Sequence, residues 1–257
     1  MAERSGYPDY LKDVLSLDQL ETSHLPFPLK GEIHLWTASL DVSAEQLERL
    51  QSVLSAEERK RVSYFKFEST QDSYIVTQAV LRMLLSSYLE INPSDVKTGA
   101  RKKGKPYLMN DPSLCFNLSH SHDLCVYVFS YDSELGIDLE KIRDLPDIEQ
   151  LIEKNFTSRE KQYLLKDPDN KLSRFFQFWT FKEAYLKATG EGMLLTPENL
   201  EFSTENGIIK LQSGKYGFDE TNWKFTGFSR EENYIGTLAF SHKNPILREM
   251  SIDLKKK

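Results

Sequence analysis

Cysteine is scarce in this sequence: Cys115 and Cys125 are the only two in 257 residues. Two thiols cannot build a disulfide framework, so the expected setting is the cytoplasm with both reduced. Apolar runs of bilayer-spanning length, about 18 residues, are also missing, and the N-terminus carries no apolar stretch of signal-peptide length. Positive charge is not in excess. A net charge of −6 argues against a general binder of nucleic acid or anionic membrane, while leaving room for a local basic pocket. A zinc site is weighed because His120 and His122 lie between the two cysteines. Their spacing, Cys-x4-His-x-His-x2-Cys, matches no common zinc pattern, and its flanks alternate like strands, so two buried core cysteines are expected.

What the chain does have is apolar and aromatic bulk. Hydrophobic residues make up 39 %, with 15 Phe and 12 Tyr, enough for a substantial core in one large domain or two of about 110 residues. One stretch organises the rest, Leu135-Gly136-Ile137-Asp138-Leu139-Glu140. Leu135, Ile137 and Leu139 alternate with Gly136, Asp138 and Glu140, the period of a half-buried strand. Two carboxylates two residues apart on one face can converge on a divalent cation, although an amphipathic strand with a solvated acidic face gives the same pattern. Gly136 fits either close approach of a ligand or close packing of the strand.

Ser43-x-x-Gln46, Ser55-x-x-Glu58 and Thr157-x-x-Glu160 are capping boxes that each start a helix. Arg59, Lys60 and Arg61 in the second of these helices suit an anion as well as they suit a solvated basic face. The loop Arg101-Lys102-Lys103-Gly104-Lys105-Pro106 places four cations around a glycine, which suits a phosphate-rich ligand or a plain surface loop. A long helix is expected over 71–89 and ends before Asn92-Pro93. Strands are expected from Phe116 to Ser121, Leu124 to Phe129, and in short pieces after Glu201. The helix Leu172–Thr189, closed by Gly190, is mostly buried: Leu172, Phe175, Phe176, Trp179 and Leu186 form one stripe, and Phe178, Phe181 and Tyr185 another. Glu183 falls inside the first stripe. A carboxylate there needs a metal or a partner, and Lys187 at i+4 is the structural candidate.

Three stretches in order resemble the signature of 4′-phosphopantetheinyl transferases of the large, single-chain surfactin-synthetase-activating (Sfp-like) type. They are G-K-P-Y-L…F-N-L-S-H-S (104–121), L-G-I-D-L-E (135–140) and F-W-T-F-K-E-A-Y-L-K (178–187). H-L-W-T-A-S-L-D (34–41) and L-S-A-E-E-R-K-R (54–61) are similar too, so the likeness spans roughly residues 32–242.

The resemblance implies an α+β fold of two similar lobes about a pseudo-twofold axis, with the active site in the cleft between them. The expected division is an N-terminal arm (1–30), lobes at 31–132 and 133–250, and a basic tail (251–257). It implies transfer of the phosphopantetheine arm of coenzyme A to a serine of an apo acyl or peptidyl carrier protein, releasing adenosine 3′,5′-bisphosphate. A catalytically silent carrier-binding or nucleotide-binding protein of the same fold is the alternative. Mg²⁺ (or Mn²⁺) would be held by Asp138, Glu140 and Glu183, with Glu183 taking the serine proton and Lys187 contacting the diphosphate. Arg61, Lys105, Ser119 and His120 would contact coenzyme A phosphates or nucleotide. Where some members carry another cation this chain has Glu58, so either the 3′-phosphate clamp is thinner or Arg59 or Lys60 substitutes. The segment from Lys141 to Lys166 is the expected part of the carrier-docking surface. A monomer is expected, with neither nucleic acid nor membrane as a partner.

Overall fold

The computed structural model describes residues 14–22, 25–101, 103–190, 200–205, 208–214, 222–231, 233–242 and 244–256. The first 13 residues of the expected arm, Lys102 and Lys257 lie outside them. The chain opens with a short strand, β1 (Leu15–Ser16), and helix α1 (Leu17–Thr22). Strand β2 (Glu32–Ser39) is followed by helices α2 (Ala44–Val53), α3 (Ala56–Val62) and α4 (Glu68–Leu89). A hairpin of β3 (Thr98–Ala100) and β4 (Pro106–Leu108) leads into β5 (Cys115–Ser121), β6 (Leu124–Ser130) and β7 (Leu135–Lys141). Then come α5 (Ile148–Asn155), α6 (Ser158–Leu165) and α7 (Lys171–Thr189). The chain closes with β8 (Leu200–Glu205), β9 (Ile208–Gly214), β10 (Lys224–Arg230), β11 (Tyr234–Phe240) and β12 (Ile246–Asp253).

All three capping boxes form, with Ser43, Ser55 and Thr157 each accepting from the N3 amide while the N3 side chain accepts from the cap amide. Helix α4 starts three residues before the expected boundary and closes on Glu90 in the left-handed region, φ 53°. Glycine closes α7 as expected, with Gly190 at φ 69°.

Five strands form one sheet in the order β1-β12-β2-β6-β5, and three antiparallel strands form a second, β10-β11-β7. One face of the large sheet (Trp36, Ala38, Cys125, Tyr127, Phe129) packs on α4. Its other face (Ile33, Leu35, Val126, Val128) meets Leu135, Ile137, Leu139 and Leu238 of the second sheet. Strand β6 is therefore apolar on both faces, which explains why L-C-V-Y-V-F runs with little alternation. Helix α7 covers the outer face of β7 and β11, with Ala184 and Ala188 against Ala239.

Two expected boundaries move. Strand β12 runs parallel between β1 and β2, so residues 246–253 belong to the first sheet and not to the 133–250 lobe or a free tail. A paired β2 edge is the physical reason: unpaired, it would leave a row of backbone groups open. Lys255 pairs with Asp41 and Leu254 is buried, which ties the end of the chain down. The arm is likewise docked from residue 15 on, with Leu15, Leu17 and Leu20 in the core. Among the described residues no helix is long and apolar enough to cross a membrane.

Candidate active site

Gly136 sets the distance between β7 and α7. A Cβ at that position would stand 2.1 Å from the Ala184 carbonyl oxygen and 2.3 Å from the Ala188 amide nitrogen. Helix packing, not ligand approach, accounts for this glycine. The close approach brings Glu183 and Lys187 over the β7 face that carries Asp138 and Glu140. Thr180 and Thr237, with their hydroxyls 2.9 Å apart, pin the same helix to β11.

The other flank of β7 is held by β5. Asn117, Ser119 and Ser121 share one face of that strand, two residues apart each time. Asn117 Oδ1 accepts from the Ile137 amide at 2.9 Å, and Ser121 Oγ accepts from the Lys141 amide at 3.1 Å. Ser119 Oγ donates to Asp138 Oδ1 at 3.0 Å, and Ser121 Oγ to Glu140 Oε2 at 3.1 Å. Asn117 and Ser121 were not assigned a role from the sequence, yet the alternation in F-N-L-S-H-S is the signal that would have found them.

Asp138 is buried, and its two oxygens are unequal. Oδ1 accepts from Lys187 Nζ at 2.7 Å as well as from Ser119, while Oδ2 has no hydrogen-bond partner among the described residues. Lys187 Nζ also donates to Ser119 Oγ at 2.9 Å. Lys187, the structural alternative as a partner for Glu183, instead bonds across to Asp138 on the strand. Burial, then the Asp138 charge, pushes the Glu183 carboxyl up; Lys187 opposes this and Glu140 adds to it. Burial and Asp138 likewise raise Glu140, against the pull of Ser121 and Arg143. Three acids face Lys187, with Arg143 reaching only Glu140 from the exposed side at 3.5 Å, so the site is short of positive charge.

No three acidic, histidine or cysteine side chains stand at ion-holding distance among the described residues. The donor set nevertheless suits a hard divalent cation: a buried carboxylate oxygen without a partner and two carboxyls with raised pKa values are relieved together by one ion. Glu140 and Glu183 are both half-buried.

The other predicted positions divide into two groups. His120, near the end of β5, keeps part of its side chain open to solvent, and partial desolvation of its imidazole, then the Lys187 charge, holds its pKa below the usual value. On the same β5 face, Leu118 lines a cavity of about 470 Å³ with Arg61, Tyr74, Gln78, Gly104 and Pro106. The Arg61 guanidinium lies 5.6 Å from the Tyr74 ring centre. Glu57 and Glu58 line the same cavity, and the Glu58 carboxylate is engaged by the α3 cap and by Arg82 Nη1 at 3.3 Å. Lys105 does not reach the cavity: its side chain is buried between Glu134 and the end of α7. The zinc pattern is split across the sheet, since Cys125 faces the α4 core with its Sγ 3.0 Å from Tyr127 Oη, and Cys115 faces the opposite side.

Acidic side chains gathered around the buried Asp138 with a lysine, and Arg61 beside Glu57 and Glu58 in the cavity that Leu118 lines, fit the class of enzymes that handle phosphorylated ligands. Family comparisons give that class its family. Residues 134–239 match the 4′-phosphopantetheinyl transferase superfamily model, and residues 36–131 match that of the 4′-phosphopantetheinyl transferase N-terminal region. The chain is 38 % identical over 229 residues to 4′-phosphopantetheinyl transferase HetI of Nostoc sp., covering 86 % of this chain and 94 % of that protein. It is 30 % identical to the transferases ffp and Sfp of Bacillus subtilis, covering 66 % and 60 % of this chain and 76 % and 68 % of theirs. The chain belongs to the 4′-phosphopantetheinyl transferase family and is a transferase.

Proposed function

We propose that this enzyme moves the 4′-phosphopantetheine arm of coenzyme A to a serine of an apo acyl or peptidyl carrier protein, in the manner of the Sfp-like type. The serine Oγ attacks the phosphorus that bears the pantetheine arm. A new O–P bond forms, the bridging P–O bond breaks, and adenosine 3′,5′-bisphosphate leaves. Glu183 takes the serine proton on a carboxylate oxygen, a role suited to a carboxyl whose pKa burial raises above its ordinary value. Lys187 faces the diphosphate and meets the charge that develops as the bridge breaks. Asp138, Glu140 and Glu183 would hold Mg²⁺, with Mn²⁺ as the alternative ion, which supplies further neutralisation of the diphosphate. Ser119 and His120 border the phosphates, and Arg61 meets the nucleotide end in the 470 Å³ cavity. In this reading the halves expected at 31–132 and 133–250 form two pseudo-twofold lobes, except that β12 (246–253) leaves the second and pairs in the sheet of the first.

The observation that carries the reading is the meeting of Asp138, Glu140, Glu183 and Lys187 between β7 and α7, with Asp138 Oδ2 buried and unpartnered. The test is a panel of apo carriers incubated with coenzyme A and Mg²⁺ and read by intact mass. At least one carrier is expected to gain the phosphopantetheine mass on its serine. Unmodified carriers across fatty-acid, polyketide and nonribosomal-peptide classes would remove the proposal.

A further inference from the structure

Lys105 sits where the family resemblance would put a nucleotide contact, but its surroundings assign it other work. Its side chain is 6 % exposed. Nζ donates to Glu134 Oε2 at 2.5 Å and to the Ala188 carbonyl oxygen at 2.6 Å. The Ala188 carbonyl is one of the last in α7, a group that the helix itself leaves without a partner. Gly190 makes the contact close: a Cβ there would stand 3.2 Å from Lys105 Cβ and 3.3 Å from Cδ. Gly104 and Pro106 line the cavity and Lys105 does not, so the loop turns this side chain away from it.

Glu134 is itself fixed. Its amide donates to Ser241 Oγ at 3.0 Å, its carbonyl accepts from the Ser241 amide at 3.2 Å, and Arg101 Nη1 stands 2.9 Å from Oε1. Burial works against the Glu134 carboxylate, yet the bonds and charge of Lys105, with Arg101, hold its pKa below the ordinary value. The 101–105 loop, the segment entering β7 and the last turn of α7 therefore meet at one ammonium group.

The geometry points to Lys105 as a latch that positions Lys187 from behind, not as a contact to the nucleotide. Lys187 is one residue before Ala188, and the same helix turn carries the ammonium that faces Asp138. Removing the latch frees the turn and shifts Lys187 relative to the β7 carboxylates and the cavity wall. The kinetic side of this inference rests on the transferase reading, whereas the structural side does not.

The test compares the full-length Lys105→Met and Glu134→Ala proteins and their double variant. Hydrogen exchange without ligand is expected to quicken at the amides of residues 187–190 in both single variants, while the α4 amides stay protected. Unchanged exchange at 187–190 would overturn the latch, whatever the protein's activity. In the transfer assay kcat is expected to fall about 10- to 100-fold, with KM for coenzyme A within about twofold. The penalty should be the same with 3′-dephospho-coenzyme A, and the double variant should lose no more than Lys105→Met alone. A direct nucleotide contact gives the opposite pattern: KM for coenzyme A rises more than about tenfold, kcat holds, and Glu134→Ala leaves transfer intact. If the wild-type protein transfers nothing, the exchange data still decide the latch, and the functional reading fails separately.

Discussion

Two of the lysines on helix α7, Lys182 and Lys187, lie about one and a half turns apart, each paired with a carboxylate, and the pairs differ in completeness. Lys182 and Glu160 are both fully buried, 2.7 Å apart. Lys182 also donates to the Leu200 carbonyl at 2.7 Å and lies 4.9 Å from the Phe156 ring centre. Glu160 accepts from the amides of Thr157 and Phe202, both at 2.8 Å, so both of its oxygens are used. Lys187 and Asp138 are equally close, yet Asp138 keeps an unpartnered buried oxygen, and Glu140 and Glu183 crowd it. A completely satisfied buried pair fixes structure, because breaking it strands a charge. An incomplete one is a place that a ligand can finish.

Substitutions that separate the two pairs give the largest expected effects. Lys187→Met should lower kcat by about 10²- to 10³-fold, the scale of losing one group that stabilises developing charge, and should lower the unfolding midpoint less than Lys182→Met does, because Asp138 keeps its Ser119 bond and its neighbouring acids can take up protons. Lys182→Met should cost about 3–5 kcal/mol of stability by stranding Glu160, with activity falling only as far as the folded fraction does. Denaturant unfolding and initial rates on the same samples check both. If Lys182→Met lost catalysis while staying fully folded, the contrast would collapse.

Gly136→Ala comes next. It drives a methyl group into the α7 backbone, so about 1–3 kcal/mol of overpacking and a rate loss approaching 100-fold are expected together. Calorimetry and steady-state kinetics read the two changes, and a variant with wild-type values in both would show that α7 can lie elsewhere. Ser121→Ala should have the smallest effect, about 1 kcal/mol and less than tenfold in rate, because it removes one support from Glu140 and from the Lys141 amide. An effect as large as that of Lys187→Met would move Ser121 into direct contact with substrate.

The sequence made much of this site legible because the signals were local. Three capping boxes, the alternation of 135–140 and the glycine closing α7 all depend on residues within a turn or two of one another. Long-range partners were out of reach. Nothing in residues 246–253 says that they lie parallel between β1 and β2, since that pairing answers the needs of a strand some two hundred positions earlier. The helix wheel placed the awkward charge at Glu183, in the Phe175–Trp179 stripe. The fully buried charge is Lys182, on the face with Phe178, Phe181 and Tyr185, and only the arrival of α6 makes it affordable. Lys105 shows the same limit: a Gly-Lys-Pro loop gives the side chain but not its direction.

The most direct test is Glu183→Gln, with stability and rate followed against pH in the same preparation. A carboxyl whose folded-state pKa lies above its unfolded value penalises the fold once ionised. The penalty is absent below about pH 4.5, the unfolded value, and complete above the folded value. Removing it should therefore raise the unfolding midpoint of the metal-free protein at pH 7 and have no effect on it below about pH 4.5. The rate of phosphopantetheine transfer should meanwhile fall at least about 100-fold and lose its acid limb. A variant that keeps transfer within twofold of wild type, or that is destabilised at pH 7, would contradict the assignment of Glu183 and with it the site built around Asp138.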